Sequence, residues 1–206
     1  MKTSYLTTCV TLLIAVLSVT SGCKSFMTYK YGMTNPKEET PERLISFLET
    51  EKFPVSDMYM FADSSAYFNV MRNPLFRNNF LSHMNFDRDG FLLQWDTARC
   101  QWAGFDLIKA LNKDSSYQKV PGLKLDQILD YIRPFGPGAG DDPVMNHPDF
   151  TIIVTWAKFM GKYNYLLFDI AEAVKKNQYS AIRLIWLNID MQEGWHLTKE
   201  QRLTFR

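Results

Sequence analysis

Cysteine is scarce in this chain, with three in 206 residues. Cys9 lies within the N-terminal apolar run and Cys23 at its close, which leaves Cys100 as the single cysteine of the remainder, so no internal disulfide framework and no paired-cysteine redox chemistry is expected. Histidine is equally sparse, and His83, His147 and His196 show no ligand spacing, so no zinc site is assigned. An excess of one charge is missing too. The formal net charge of +1 removes the main electrostatic case for a nucleic-acid partner, which calls for a strongly basic face. No Gly-x-Ser-x-Gly, phosphate-loop or dinucleotide glycine pattern occurs, so common hydrolase and nucleotide readings lack support and no cofactor is expected. No internal repeat is visible. The apolar run Leu6–Val19 is too short to span a bilayer.

What is present begins with that run. Lys2 supplies a positive start, and Thr20-Ser21-Gly22-Cys23 closes the stretch with small residues before a cysteine. This is the layout of an export signal. Its end resembles the lipobox of bacterial lipoproteins. Ser21, Gly22 and Cys23 fit the pattern, and Thr20 stands where an aliphatic residue is commoner. The resemblance implies a signal peptide over residues 1–22 and lipidation at Cys23, with diacylglycerol on the sulfur and an acyl chain such as palmitate on the new amino terminus. It implies a lipid-anchored protein of the cell envelope, on the outer membrane or a periplasmic face, with the membrane as partner. A soluble form cut elsewhere is the alternative.

The remainder suffices for one domain with a real core, since hydrophobic residues make up 46% and aromatics 15% of the chain. Residues 24–39 are polar and aperiodic and read as part of a tether, 23–39, leading to a single α/β domain over 40–206. Thr40-Pro41 predicts a helix start, with Leu44, Ile45, Phe47 and Leu48 on its apolar face. A strand is expected at Met58–Ala62, helical turns at Ser65–Met71 and Leu75–His83, and a short helix at Leu125–Ile132. Thr97 to about Asn112 reads as a further helix capped by Asp96. Residues 136–148, rich in Gly, Pro and Asp, predict a loop.

Phe150–Trp156 and Ile182–Ile189 are continuous apolar, β-rich runs of the kind buried on both faces. Tyr163, Leu166, Leu167, Ile170, Ala171 and Val174 recur at helical spacing between them. Strand, helix and strand make a βαβ unit. This unit resembles a thioredoxin-like domain, whose first helix is entered by Trp-Ala-x-Phe/Trp and Cys-x-x-Cys and whose next strand ends in a paired Asp. Here the frame reads Trp156-Ala157-Lys158-Phe159-Met160-Gly161-Lys162-Tyr163, and the later strand ends Asn188-Ile189-Asp190. Met160 and Tyr163 occupy the two cysteine positions, and a thioether and a phenol cannot carry out dithiol exchange. The family also needs a hairpin and a helix after its second strand, and too little chain follows Met191. The segment Phe80–Trp95 and the helix after it resemble that closing half in reverse order. The resemblance implies an α/β, thioredoxin-like three-layer sandwich, permuted or elaborated; an unrelated α/β sandwich is the alternative. The expected function is a redox-inactive binding or structural module for a protein or small-molecule ligand that the sequence does not name. It is more a binder than an enzyme, and no catalytic residue is assigned.

Two other constellations compete. Asn85, Asp87, Asp89, Gly90 and Asp96 match the spacing of an EF-hand loop, with Asn85 for Asp and Asp96 for the bidentate Glu. The same residues read more simply as a hairpin turn with Gly90 at positive φ, followed by a helix cap. The first reading makes a calcium-binding envelope module. Cys100 beside Arg99 would serve a single-thiol enzyme, although a helix among Trp102 and Ala103 suits a buried, inert cysteine better. Asp141-Asp142 reads as solvated loop. Trp156, Trp186 and Trp195 read as core before they read as pocket.

Overall fold

A computed structural model describes residues 27–53, 57–94, 108–136 and 148–202. The leader, Cys23, Asp96, Cys100, the Asp141-Asp142 pair and His147 lie outside the described residues, as does most of the predicted Thr97 helix.

Helix α1 spans Pro41–Thr50, with Thr40 as N-cap accepting from the Arg43 N–H and Leu44 and Leu48 buried. Strand β1 (Met58–Phe61) follows, then α2 (Ser64–Arg72), capped by Asp63, and the short α3 (Pro74–Asn78), capped by Asn73. Strands β2 (His83–Asp87) and β3 (Phe91–Leu93) form a hairpin. Its turn works as the sequence suggests. Gly90 sits at φ 75, and the Asp87 carboxylate accepts from the Phe91 N–H at 2.8 Å. Next come β4 (Lys119–Lys124), α4 (Asp126–Leu129) and β5 (Ile132–Pro134). The βαβ unit is β6 (Phe150–Trp156), a 3-10 turn at Lys158–Met160, α5 (Tyr163–Lys175) and β7 (Ile182–Asn188). A second 3-10 turn covers Glu193–Trp195.

The strands form one mixed sheet in the order β4-β3-β2-β6-β7-β1-β5. The three central strands β6, β7 and β1 run parallel, and β2, β3, β4 and β5 add antiparallel neighbours on either side. Every residue of β6 is buried, as a central strand covered on both faces demands. Register places Val154, Trp186 and Met58 on one face. There α5 supplies Phe168, 4.5 Å from the Trp186 ring, and α1 supplies Phe47, stacked on Trp156. On the other face Phe61 meets Tyr67 of α2 and Phe76 of α3. The chain is thus an α/β protein with helices on both sides of a seven-stranded sheet.

Several boundaries differ from expectation. The segment expected as tether is part of the domain from residue 27 on. Residues 27–31 form a helical turn, Met33 is buried, and Glu39 bridges to Gln192 in parallel. Backbone hydrogen bonds to a neighbouring loop hold a polar, aperiodic stretch that side-chain pattern alone cannot place. His83 belongs to a strand rather than to the helix begun at Leu75. The predicted Leu125–Ile132 helix shortens to one turn, and its end becomes β5. Strands β4 and β5 carry Pro121 and Pro134, which disguise them in sequence; both are edge strands, where a missing N–H is tolerated.

Candidate functional site

The C-terminal ends of β6 and β7 lie side by side, the place where open α/β sheets assemble their sites. Each strand gives way there to a short turn, and the chain segment 31–39 is laid across both. Buried polar side chains collect at this junction: Glu39, Asn164, Asn188, Asp190 and Gln192.

Asp190 is the centre of the cluster. Its Oδ2 accepts from the Lys158 backbone N–H at 2.7 Å and from Asn188 Nδ2 at 2.9 Å. Gln192 Nε2 donates to the Asp190 carbonyl at 2.8 Å. Burial pushes the Asp190 carboxyl up to about 7 against the lowering effect of these donors, and the nearby Glu39 carboxylate pushes the same way. Three buried oxygens at this junction, Asp190 Oδ1, Gln192 Oε1 and Tyr67 Oη, have no hydrogen-bond partner among the described residues. The Tyr67 hydroxyl is held far above its ordinary range, first by burial and then by the charge of Asp190. Glu39 is paired, 3.0 Å from Lys158 Nζ and 3.5 Å from Arg43 Nε. Arg43 reaches on to Glu193 at 2.8 Å. The set can exchange a proton at Asp190.

Met160 and Tyr163 flank Gly161 one turn away. Met160 is fully buried and Tyr163 nearly so. The Asn164 amide ties the turn together, donating to the carbonyls of Ala157 and Gly161 at 2.8 and 3.1 Å. The segment 31–34 covers this turn. The Thr34 N–H donates to the Phe159 carbonyl at 2.9 Å, and the Lys162 N–H donates to the Tyr31 carbonyl at 2.7 Å. Tyr31 sets its ring edge-on to Tyr163 at 5.3 Å. Gly161 (φ 54) is required here, because a Cβ would stand 2.5 Å from the Tyr31 oxygen.

Of the EF-hand residues, Asn85, Asp87, Asp89 and Gly90 are described and Asp96 is not. Asn85 is fully buried in β2, and its amide atoms have no hydrogen-bond partner among the described residues. Lys119 Nζ stands between Asp87 and Asp89, 2.8 and 3.2 Å from their carboxylates. Asp87, Asp89 and Lys119 rim a groove of about 640 Å³ that also includes Arg88, Tyr117 and Asp149. Arg88 pairs with Asp149, whose carboxyl is held below its usual range mainly by the Ala181 N–H. Among the described residues no group of three His, Cys, Asp or Glu side chains could hold a metal ion. His83 lies in β2 and His196 follows the second 3-10 turn.

Asn188 and Asp190 were legible as the end of the later strand. Glu39, Tyr67, Lys158 and Gln192 were not, because each is polar or aromatic in a locally unremarkable setting and only the tertiary fold brings it to Asp190. Compared with known proteins, the chain matches no family model, no curated protein and no solved structure.

Proposed function

We propose that the chain is an exported lipoprotein anchored through Cys23, carrying a redox-inactive, thioredoxin-like binding module of the cell envelope. The observation that carries the fold half is the sheet. Parallel β6 and β7 are joined by α5, and an antiparallel hairpin lies against β6. In this reading the hairpin precedes the βαβ unit instead of following it, a permuted order. Met160 and Tyr163 then stand where the family carries its thiols, and the polar junction around Asp190 is where a ligand would be recognised.

Two measurements test the reading. Intact mass of the membrane-extracted protein should show acyl chains on a chain that starts at Cys23, and Cys23→Ser should leave the membrane fraction; a chain retaining Met1 sinks the lipoprotein half. The protein should not reduce insulin, and turnover comparable to a thioredoxin would refute redox inactivity. The double variant Met160→Cys with Tyr163→Cys should form a disulfide with a measurable potential. Failure of the pair to close in a folded protein counts against the fold half.

A further inference from the structure

The segment 27–39 has a consequence for how the molecule sits. If it were a free tether, the domain would sample every orientation to the membrane. Instead residues 27–31 form a helical turn closed by the Gly32 N–H on the Thr28 carbonyl at 2.9 Å, and the chain is bonded to the domain from Tyr31 onward. Residues 24–26 alone separate Cys23 from this docked turn. Fully extended, that stretch reaches at most about 15 Å.

The docked turn itself carries side chains suited to a membrane interface. Tyr29 is 93% exposed, whereas Tyr165 gives its hydroxyl to the Glu51 carboxylate and sets its ring edge-on to Phe53. The Lys30 ammonium lies over the Tyr31 ring, 5.1 Å from its centroid, and the Lys162 N–H is bonded to the Tyr31 carbonyl. Tyrosine suits the headgroup zone because its ring is apolar and its hydroxyl wet, and lysine can extend its amine to the phosphates. Another exposed tyrosine, Tyr179 (59%), lies past the far end of α5, which is about 20 Å long.

We propose that the face formed by residues 27–31 and Lys162 rests on the phospholipid headgroups and fixes the orientation of the domain. This rests on the lipoprotein reading and adds an orientation to it. The polar junction beneath segment 31–39 is then near the bilayer, and the Arg88–Lys119 groove, at the hairpin turn, is free to face away.

The test uses the acylated protein reconstituted into phosphatidylcholine–phosphatidylglycerol vesicles doped with a headgroup-spin-labelled lipid. In a Cys100→Ser background, single fluorophores are placed by Tyr29→Cys, Lys162→Cys and Tyr179→Cys. Quenching should be several-fold stronger at positions 29 and 162 than at 179. Equal quenching at all three sites in an acylated, vesicle-bound sample overturns the orientation and leaves the anchor intact. An unacylated Cys23, read by mass on the same sample, removes the lipoprotein reading itself and the orientation with it. A Gly/Ser linker of about twenty residues after Ser25 should abolish the difference between sites, since such a chain spans some 25 Å on average. A difference that survives the linker overturns the argument from the docked segment.

Discussion

Asp190 and His83 titrate in opposite senses on folding. Burial raises the Asp190 carboxyl to about 7, so the folded chain holds that proton more tightly than the unfolded chain does. Its contribution is full below about pH 4 and is lost as pH rises through 7, on the order of 4 kcal/mol. Burial lowers the His83 imidazole to about 4, so the folded chain binds that proton more weakly. Its contribution is present above about pH 6.5 and is lost as pH falls towards 4, on the order of 3 kcal/mol. The two slopes oppose over one window, and the native protein should show a nearly flat urea midpoint between pH 4 and 6.5. Asp190→Asn should expose a rising profile, and His83→Gln a falling one. An Asp190→Asn profile that overlays the native curve would show that this carboxyl is not the buried acid described here. At this scale the sequence marks Asp190 through its Asn-Ile-Asp strand end, but its depth depends on Tyr67 and Glu39, more than a hundred positions upstream.

Among the elements, the docked segment 31–39 depends on a single hydrogen-sized space. Gly161→Ala brings a Cβ to 2.5 Å from the Tyr31 oxygen and 2.8 Å from the Gly32 oxygen, both backbone atoms that cannot rotate away. The variant should keep its sheet, by far-ultraviolet circular dichroism, while residues 27–39 become the first site of limited proteolysis. Native-like resistance of that segment would mean that the contact does not hold it down. Helix α1 gives a milder expectation: Thr40→Ala removes the acceptor for the Arg43 N–H and should lower stability by about 1 kcal/mol in urea unfolding. Elements set by local signals were legible: the α1 cap, the Gly90 hairpin and the buried run of β6. Strands β4 and β5 were not, since β4 is mostly exposed, both contain proline, and each owes its existence to a partner strand rather than to its own pattern.

For the whole molecule the open question is whether the charged groove at the hairpin end takes a cation. Sequence spacing lines Asn85, Asp87, Asp89 and Asp96 up as ligands, because spacing records distance along the chain and not which way a strand turns each side chain. Asn85 lies within the sheet, and the Lys119 ammonium already stands between Asp87 and Asp89. Its hydrogen bonds to those carboxylates raise the Lys119 amine above its ordinary range, so it stays charged at neutral pH. A calcium ion would have to displace this cation and draw Asn85 out of β2. A site filled at a hundred times its dissociation constant adds about 2.7 kcal/mol to stability, a shift of several degrees for a domain of this size. Millimolar calcium should leave the melting temperature unchanged. Lys119→Ala should remain insensitive too if the buried Asn85 is the barrier, whereas a calcium response gained in that variant would identify the ammonium as the sole occupant. A calcium-dependent rise in the native protein, abolished by Asp87→Ala, would overturn the hairpin-turn reading and make this groove the functional centre of the molecule.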